Sequence, residues 1–426
     1  MKVTRVERMI VDVPLTERQQ VISAREVYNW GVVELCKVTA DTGHVGWGET
    51  VIHYTWARVS DAAVEKVIGQ SPMRWLNDDS IGAGLQMALF DLVGKVMEVP
   101  VYELLGRKVR DWVPISWWSI DASPEQWAAE ARDAVALGYT SFKLKARPWW
   151  DIVAQIEAVT QATFPHFKLD LDANGTWQNA ASAIPIIKRL ERFPQVAMFE
   201  SPIPQHDILG NRQIRAAINR PVAMHFGSPT YVTNLREGCC DGYVICAGKS
   251  QVLRQATLSA EAEMPFWLQL VGNGLTTTWA AHLGAVLTHA TWPAITCMNL
   301  NSHQLLRQPI EVVGGYHRVP EAPGLGVEVD EETVARYRVP EATVAEFTTK
   351  GQPYDRPKPR IINTVVYPDG SCVHMGSAGQ GYGYFGGGHG PAYVEGVRLE
   401  ARPDDGTPEW ADLFARAQQH PVRGRW

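Results

Sequence analysis

Polar side chains close a series of short apolar runs at nearly equal intervals in the middle of this chain. Lys145, Asp172, Glu200 and His225 lie at the ends of the runs in SFKLKAR, FKLDLDANG, VAMFESPIP and PVAMHFGSP, and their numbers differ by 27, 28 and 25. Such an interval holds one strand, one crossover helix and their loops. Successive parallel strands gather their carboxyl ends on one rim, which is where the chemistry of a β/α barrel takes place. The spacing therefore predicts a barrel with a site at these residues.

Regular alternation of strand and helix patterns extends from about residue 113. Eight apolar runs are typical of strands: VPISWWSI, SFKLKA, FKLDLD, VAMFE, PVAMH, GYVIC, PFWLQL and AITCMNL. Helical patterns separate them, and one helix is predicted to begin after an N-cap at Ser123, with Glu125 in its first turn. The count indicates an α/β barrel rather than a doubly wound sheet with a Gly-rich first turn.

The two flanks of this region differ from it. Residues 2–50 alternate as strands do, and residues 78–97 have a helical pattern, which together predict an α+β segment. After about residue 339 the regularity fails, and the Gly-rich stretch 376–391 predicts a long irregular loop. It contains a Gly-x-Gly spacing, but no βαβ unit surrounds it, so no nucleotide site is predicted there.

Composition narrows the class of protein. The chain has 426 residues, 45% of them hydrophobic and 20% charged, which is typical of a globular protein. A formal net charge of −6 without a basic cluster argues against nucleic acid. No apolar run approaches the roughly 20 residues of a membrane span. The six cysteines are scattered without a C-x-x-C pair, so a reducing cytoplasm is expected.

Side chains two apart in a strand share a face, so Lys143 points with Lys145 and Asp170 with Asp172. Lys143 and Asp170 would lie deeper, and one interpretation is a purely structural buried ion pair. Lys145, Asp172 and Glu200 are costly at strand ends unless a metal or substrate uses them. Two carboxylates suit a hard divalent cation such as Mg²⁺, and a nearby cation would lower the pKa of Lys145 toward that of a general base.

In several of its motifs, the chain resembles the mandelate racemase and muconate lactonizing enzyme branch of the enolase superfamily. The segment ALFDLVGKVMEVPVYELLGRKVRDWVPIS at 88–116 is similar to the one that joins the capping domain to the barrel in that family. FKLKA, LDLDANGTW and FESPIP are similar to its second, third and fourth strand motifs, and PEAPGLGVEVD at 320–330 to its C-terminal return. The resemblance covers roughly residues 1–340.

The resemblance implies a (β/α)7β modified TIM barrel over residues 113–320 and an N-terminal α+β capping domain over residues 1–112. Residues 321–426 would form a return segment and an irregular extension. It also implies a divalent metal, Mg²⁺ first, and a small-molecule carboxylate substrate. By position, the resemblance makes Lys145 the base, Lys143 a polarising or orienting neighbour, Asp172 and Glu200 metal ligands, and Asn174 a support of the metal shell. A homo-oligomer is expected.

Three strand ends depart from the family pattern. His225 stands where the family has a third acidic ligand, so it is expected to bind the metal and favour Mn²⁺, with a substrate contact or a packed histidine as alternatives. Cys246 stands where the family has Lys or Asp, and Gln269 where the branch has the His of a His–Asp dyad. Cys246 is either a thiolate acid/base or a buried cysteine. Both residues are predicted to contact substrate.

Arg18, His53 and Tyr54 fall where mobile loops of the family cover the barrel mouth, and we expect them to bind the distal end of a substrate. With one recognisable base, the favoured reaction is dehydration of a hydroxy acid such as a sugar acid. Cycloisomerisation, or racemisation or epimerisation, is the alternative within the superfamily. A noncatalytic binding protein on the same fold is the alternative from another class.

Overall fold

The computed structural model describes residues 1–54, 58–347 and 354–426. The elements before the repeating region are β1 (Val3–Asp12), α1 (Glu17–Ser23), β2 (Val32–Ala40), β3 (Val45–Val51), α2 (Asp61–Val67), α3 (Ala83–Met97), α4 (Val101–Leu105) and β4 (Trp112–Pro114). Short 3₁₀ turns lie at Pro72–Arg74 and Asp79–Ile81.

The repeating region alternates strands and helices without interruption. Its elements are β5 (Trp117–Ser119), α5 (Pro124–Ala136), β6 (Ser141–Lys145), α6 (Ile152–Ala162), β7 (Lys168–Asp172), α7 (Ala180–Leu190), β8 (Val196–Glu200), α8 (Ile208–Ala217), β9 (Val222–His225), α9 (Tyr231–Glu237), β10 (Gly242–Ile245), α10 (Lys249–Glu261), β11 (Phe266–Leu268) and α11 (Gly274–Val286). The predicted start of α5 is confirmed, since Ser123 is its N-cap in a capping box with Gln126.

The remaining elements follow a 3₁₀ turn at Met298–Leu300. They are β12 (Val312–Val313), β13 (Tyr316–Arg318), α12 (Glu331–Tyr337), α13 (Glu341–Phe347), β14 (Ile361–Val366), β15 (Ser371–Met375), α14 (Ala378–Gly386), β16 (Arg398–Pro403), α15 (Pro408–Gln419) and β17 (Val422–Arg425). β12, β13 and β4 form a small antiparallel sheet in that order.

The N-terminal segment is α+β, as predicted. β1, β2 and β3 form an antiparallel sheet, and α3 packs on β3. Two glycines of β3 allow this close approach. A Cβ added at Gly46 would lie 2.1 Å from the Ala88 carbonyl oxygen, and one at Gly48 would lie 1.9 Å from the Gly84 carbonyl oxygen. Any larger residue at either position would push the helix away from the sheet.

β5 to β11 form one seven-stranded sheet in unbroken chain order. The pairs from β5 to β9 are parallel. Alternating apolar residues such as Phe142 and Leu144 are completely buried, as expected when helices cover a parallel sheet. A doubly wound sheet would reverse its order at a switch point, so the predicted α/β barrel is confirmed and the doubly wound order is excluded.

The eighth predicted strand, AITCMNL at 294–300, is reduced to single bridges. Ala294 bridges to Ile115 and Ile295 bridges to Gln269, both in parallel. Cys297 then adopts a φ of 61°, in the left-handed region, and a 3₁₀ turn follows. A strand cannot continue through that conformation, which explains why the run is shorter than its apolar pattern indicates.

The prediction that residues beyond about 340 pack as an irregular extension is wrong for 361–425. β14 to β17 form an antiparallel sheet in the order β16-β14-β15-β17, and the Gly-rich stretch contains α14. Ser377 caps α14 by accepting a hydrogen bond from the Gln380 amide. Apolar side chains of this sheet and helix pack around Trp149 and Trp150. That burial outweighs the cost of about 1 kcal/mol for each glycine in a helix.

The chain divides into two compact units. The first unit contains residues 1–16, 29–116 and 244–356, and the second contains 17–28, 117–243 and 357–426. The domain boundaries predicted at residues 112 and 320 stay a prediction. Among the described residues, no helix combines the length and the apolar character that a membrane crossing needs.

Candidate active site

The four polar residues predicted to close successive strands do close them. β6, β7, β8 and β9 end at Lys145, Asp172, Glu200 and His225. In the parallel register Lys145 lies opposite Asp172, and Asp172 lies opposite Glu200. Neighbouring strands are about 4.8 Å apart. The side chains therefore meet at the carboxyl edge of the sheet, within the second unit.

Ion pairs connect these side chains in a row. The Lys145 ammonium lies 2.5 Å from Asp172 Oδ2. The Lys143 ammonium lies 2.5 Å from Glu200 Oε2 and 3.5 Å from Asp172 Oδ2. His225 Nε2 lies 3.2 Å from Glu200 Oε1. Two ammonium groups thus offset two carboxylates, which buried charges require.

Exposure separates the members of this row. The side chains of Lys143, Asp172 and Glu200 are each 1% exposed. Lys145 is 13% exposed and His225 is 32% exposed. A substrate that enters from solvent would therefore meet Lys145 and His225 first, with the other three charges behind them.

The buried charges shift one another's pKa. Burial would raise the pKa of Asp172, but the ammonium groups of Lys145 and Lys143 outweigh it and hold that pKa well below its usual value. Burial lowers the pKa of Lys145, and the charges of Lys143 and Arg147 lower it further while Asp172 opposes the shift. Lys145 is thus closer to the neutral form than an exposed lysine is, as a general base requires.

Asp170 lies opposite Lys143 in the strand register. Burial raises the pKa of Asp170 to about 7, against the opposing charge of Lys143. Lys143 has a carboxylate partner of its own in Glu200, one strand further along. It therefore belongs with the outer set of charges, and the interpretation of Lys143 as merely the structural partner of Asp170 is less favoured.

The donor set can be tested against the divalent metal that the fold implies. The two carboxylate oxygens of Glu200 are buried and face the Lys143 ammonium at 2.5 Å and the His225 ring at 3.2 Å. Across the same residues no group of three or more His, Cys, Asp and Glu side chains is arranged to hold a metal ion. The Lys143 ammonium lies between the two carboxylates, where a cation would be attracted. Two buried carboxylates with spare acceptor capacity fit a hard cation, provided that Lys143 moves aside.

Asn174 supports the row from the turn after β7. Its backbone N–H donates to Asp172 Oδ1 at 2.9 Å, and its side-chain oxygen accepts from the Lys145 ammonium at 3.0 Å. Arg147 donates to the same side-chain oxygen at 2.7 Å and to the Asp172 carbonyl at 2.9 Å. The prediction from sequence omitted Arg147. The sequence signal that could have identified Arg147 is its spacing, because residues 143, 145 and 147 alternate onto one face of the chain.

Arg18 is engaged elsewhere in the second unit. Its guanidinium lies 2.8 Å from Glu130 Oε1 and 2.6 Å from Asp133 Oδ2, both in α5. Substrate binding by Arg18 would require these ion pairs to break. Its proposed role in binding stays a prediction.

The other predicted substrate contacts lie in the first unit. Gln269, directly after β11, donates to the Tyr54 hydroxyl at 2.7 Å, so the structure brings these two together. His53 Nε2 lies 2.6 Å from the Tyr354 carbonyl. Cys246, directly after β10, is a half-buried free thiol. Contact of these four side chains with substrate stays a prediction.

Comparisons with known proteins agree with the fold. A family model described as Enolase C-terminal domain-like matches residues 126–333. N-succinyl-L-Arg/Lys racemase of Bacillus cereus is 25% identical over 373 residues, covering 80% of this chain and 98% of that protein. D-galactonate dehydratase of Ralstonia nicotianae is 27% identical over 347 residues, covering 70% of this chain and 89% of that protein. Muconate cycloisomerases are also among the matches.

A solved structure shows the same architecture. The mandelate racemase/muconate lactonizing family protein from Azoarcus sp. EbN1 matches with a TM-score of 0.64 and 26% identity, covering 80% of this chain and 98% of that one. Enolase superfamily members generally use a divalent metal, typically Mg²⁺. The match spans nearly the whole of these relatives and includes the strands that carry the candidate site. The chain is therefore similar to members of the enolase superfamily, in the mandelate racemase and muconate lactonizing enzyme branch, over about 80% of its length.

Proposed function

We propose that this protein is a metal-dependent enzyme that removes the α-proton of a small carboxylate substrate, and that its reaction is the dehydration of a hydroxy acid such as a sugar acid. The observation that carries the proposal is Lys145. It reaches solvent, its ammonium lies 2.5 Å from Asp172, and burial lowers its pKa. A lysine of lowered pKa beside a ligand carboxylate suits abstraction of a proton α to a carboxylate.

Each member of the row has a role in this reaction. Lys145 takes the α-proton, and Lys143 orients or polarises the substrate. Asp172 and Glu200 would hold the Mg²⁺, with Asn174 fixing Asp172 through its backbone N–H. When bound, the cation would offset the negative charge that develops on the substrate carboxylate as the proton leaves.

Dehydration also needs a proton donor. The C–H bond at the α-carbon and the C–O bond at the β-carbon break, a C=C bond forms, Lys145 keeps the α-proton, and the hydroxyl leaves as water with a second proton. His225 is the more exposed candidate donor, and Lys143 is the buried one. His225 as a third metal ligand would leave that step to Lys143. A preference for Mn²⁺ over Mg²⁺ would assign His225 to the metal, since imidazole suits the softer ion.

Isomerisation is the second candidate, because relatives named as a racemase and as cycloisomerases match this chain. Racemisation by two bases needs an acid/base opposite Lys145, and the positions after β10 and β11 offer Cys246 and Gln269. Glutamine does not exchange protons near neutral pH. Cycloisomerisation needs one proton transfer in each direction and is therefore the closer alternative.

A noncatalytic binding protein would be expected to lose costly buried charges, whereas three of the five side chains in this row, Lys143, Asp172 and Glu200, are charged and only 1% exposed. The deciding experiment incubates the purified protein with Mg²⁺ or Mn²⁺ and a library of hydroxy acids, and follows the mass and the stereochemistry of each acid. Loss of one water supports dehydration. An unchanged mass with altered stereochemistry or ring closure would replace dehydration with isomerisation. No turnover and no exchange of the α-hydrogen with solvent in any acid would overturn the proposal.

A further inference from the structure

Helix α14 lies beside the loop that follows β6, within the second unit. The Arg147 guanidinium carbon is 5.0 Å from the centroid of the Tyr382 ring, a cation–π distance. The same ring packs edge-on against Trp149 with centroids 5.5 Å apart. Its hydroxyl donates to Glu26 Oε1 at 3.0 Å. Tyr382 is thus fixed by three neighbours, and one of them is Arg147.

The other side of Arg147 faces the candidate site. Its guanidinium donates to the Asp172 carbonyl and to the Asn174 side-chain oxygen. Arg147 is 1% exposed. Water therefore cannot take over if a protein neighbour is removed, and a shift of the guanidinium would be transmitted to Asp172 and Asn174.

The segment 378–390 makes a second attachment to the turn that follows β7. Gln178 donates from its side-chain amide to the carbonyls of Phe385 at 2.9 Å and Gly390 at 2.7 Å. Asn174 and Gln178, at the two ends of this turn, have φ of 46° and 68°. A left-handed conformation is unfavourable by about 1–2 kcal/mol for most residues with a side chain, such as Gln178, although Asn adopts it more readily. Contacts from outside the turn offset this cost. They are the two Gln178 hydrogen bonds and those that the Gly175 and Trp177 N–H groups donate to the Ser201 and Pro202 carbonyls at 2.7 and 3.2 Å.

We propose that the segment 378–390 helps to position the active site. Tyr382 acts through Arg147, and Gln178 acts directly on the turn 173–178. Both are positioning residues, and together they hold Asp172 and Asn174 in place. The inference rests on the proposed function for the task of those two residues. The segment lies beyond residue 333, where the family model ends. The racemase relative is covered over 98% of its length, while 20% of this chain stays unmatched.

The alternative is that these contacts only stabilise the sheet formed by β14 to β17. Four variants distinguish a positioning role from a purely stabilising one. Tyr382→Leu removes the ring over Arg147, whereas Tyr382→Phe keeps the ring and removes only the hydroxyl. Gln178→Ala removes the second attachment and leaves the aromatic cluster intact. Tyr384→Leu is the matched control, because Tyr384 lies on the same helix, packs against the same cluster, and has its ring against Phe385 and His389.

The first measurement is hydrogen–deuterium exchange of the full chain, without metal or substrate, read on peptides that contain residues 172–178. Tyr382→Leu and Gln178→Ala should each speed exchange in these peptides about tenfold, which corresponds to about 1.4 kcal/mol of local opening. Tyr382→Phe and Tyr384→Leu should leave it unchanged. If Tyr382→Leu does not fold, Gln178→Ala decides alone. Unchanged exchange in the folded variants, or equal acceleration in Tyr384→Leu, would overturn the inference.

The second measurement uses the acid on which the wild-type protein acts. Tyr382→Leu should lower kcat about 10- to 100-fold and leave KM within about threefold, because misplacement of the reacting groups by about 1 Å costs up to 10² in rate. Tyr382→Phe should restore kcat to within about threefold of the wild type. A change in KM alone, or an equal loss in Tyr384→Leu, would contradict a positioning role. If the wild type acts on no acid, the proposed function fails, and the exchange experiment still decides the role of this segment.

Discussion

Lys143 and Lys145 share one face of β6 but have different surroundings. Lys143 is enclosed between two carboxylates, whereas Lys145 has one carboxylate, one amide oxygen and a path to solvent. Lys143 is 1% exposed and Lys145 is 13% exposed. The strand thus places a buried ammonium between two carboxylates and a second, solvent-accessible lysine two residues further along.

Replacement of Lys145 with Ala should reduce kcat by about 10²–10⁴, the contribution of a positioned general base. Divalent metal should still bind, because the removed group carries the same sign of charge as the cation. The measurement is exchange of the substrate α-hydrogen in deuterated water, followed by mass spectrometry. Lys188→Ala is the control, since that lysine is 43% exposed on α7. Exchange that persists in Lys145→Ala but disappears in Cys246→Ala would show that the thiol is the base.

Replacement of Lys143 with Met should destabilise the protein by about 3–5 kcal/mol, because the Glu200 carboxylate would stay buried without its partner. The double variant Lys143→Met with Glu200→Gln should recover most of this loss. Urea unfolding of the two single variants and the double variant measures the coupling. Additive losses in the double variant would mean that the two charges do not depend on each other.

The sequence allowed prediction of the site residues at the strand ends, but not of the residues that support them. The intervals between Lys145, Asp172, Glu200 and His225 revealed which residues close the strands, because strand and helix lengths are regular. Nothing local in the sequence indicates that Arg147 is held by Tyr382, more than 200 positions away. Contacts between loops so far apart in the chain depend on tertiary packing, which the periodicity of the sequence does not reveal.

Helix α11 carries a histidine whose ring is satisfied only when neutral. His282 is buried, its Nδ1 accepts the Tyr102 N–H at 3.2 Å, and its Nε2 pairs with the Leu325 carbonyl at 3.0 Å. Burial lowers the pKa of His282 from 6.5 to about 4. Between these values the unfolded chain binds a proton that the folded chain does not. The stabilising contribution is therefore complete above pH 6.5 and is lost as the pH falls toward 4.

His282→Gln should show a smaller loss of unfolding free energy between pH 7 and pH 5 than the wild type does. The difference should be roughly 2 kcal/mol, at 1.36 kcal/mol for each pH unit below 6.5. Urea unfolding at the two pH values measures it. His289→Gln, which changes a partly exposed histidine near the end of the same helix, serves as the control. Equal acid sensitivity in the wild type and His282→Gln would assign the effect to other groups.

Elements with regular periodicity were predictable, and those that depend on packing were not. The parallel strands were predicted correctly because strands covered by helices on both faces are continuously apolar. Helix α5 begins after its predicted N-cap, Ser123. The glycine content of residues 378–386 made helix α14 unpredictable from the sequence. Its stability comes from the packing of Tyr382 and Phe385 against Trp149 rather than from intrinsic helix propensity. The last barrel strand was overestimated because an apolar run does not report the left-handed φ at Cys297.

At the scale of the molecule, a divalent ion that binds the folded chain should raise its melting temperature. Saturation at about 100 times the dissociation constant corresponds to about 2.7 kcal/mol. Calorimetry with Mg²⁺, Mn²⁺ or a chelator measures the shift for the wild type, Glu200→Gln and His225→Ala. The shift should vanish in Glu200→Gln, and any preference for Mn²⁺ should vanish in His225→Ala. An undiminished shift in Glu200→Gln would place the ion elsewhere.

The homo-oligomer expected from the sequence stays a prediction. Leu209, Val232 and Leu235 on α8 and α9 are 68%, 61% and 44% exposed. Large exposed apolar patches mark subunit contacts, and these three residues lie on two successive helices. Sedimentation of the wild type and of a variant with Ser at these three positions would show whether association depends on them.

The second unit is assembled from residues 17–28, 117–243 and 357–426, which the ribosome makes at widely separated times. The strands that end in Lys145, Asp172 and Glu200 leave the ribosome well before Tyr382 is added. A nascent chain that ends at residue 356 would contain every residue proposed for the chemistry and still lack the segment that holds the turn after Asp172. The complete unit forms only once the late segment is present, and contacts between such distant parts of a chain form slowly. By our proposal for segment 378–390, premature termination would therefore yield a polypeptide that carries all the motif residues but lacks the contacts that position Asp172 and Asn174.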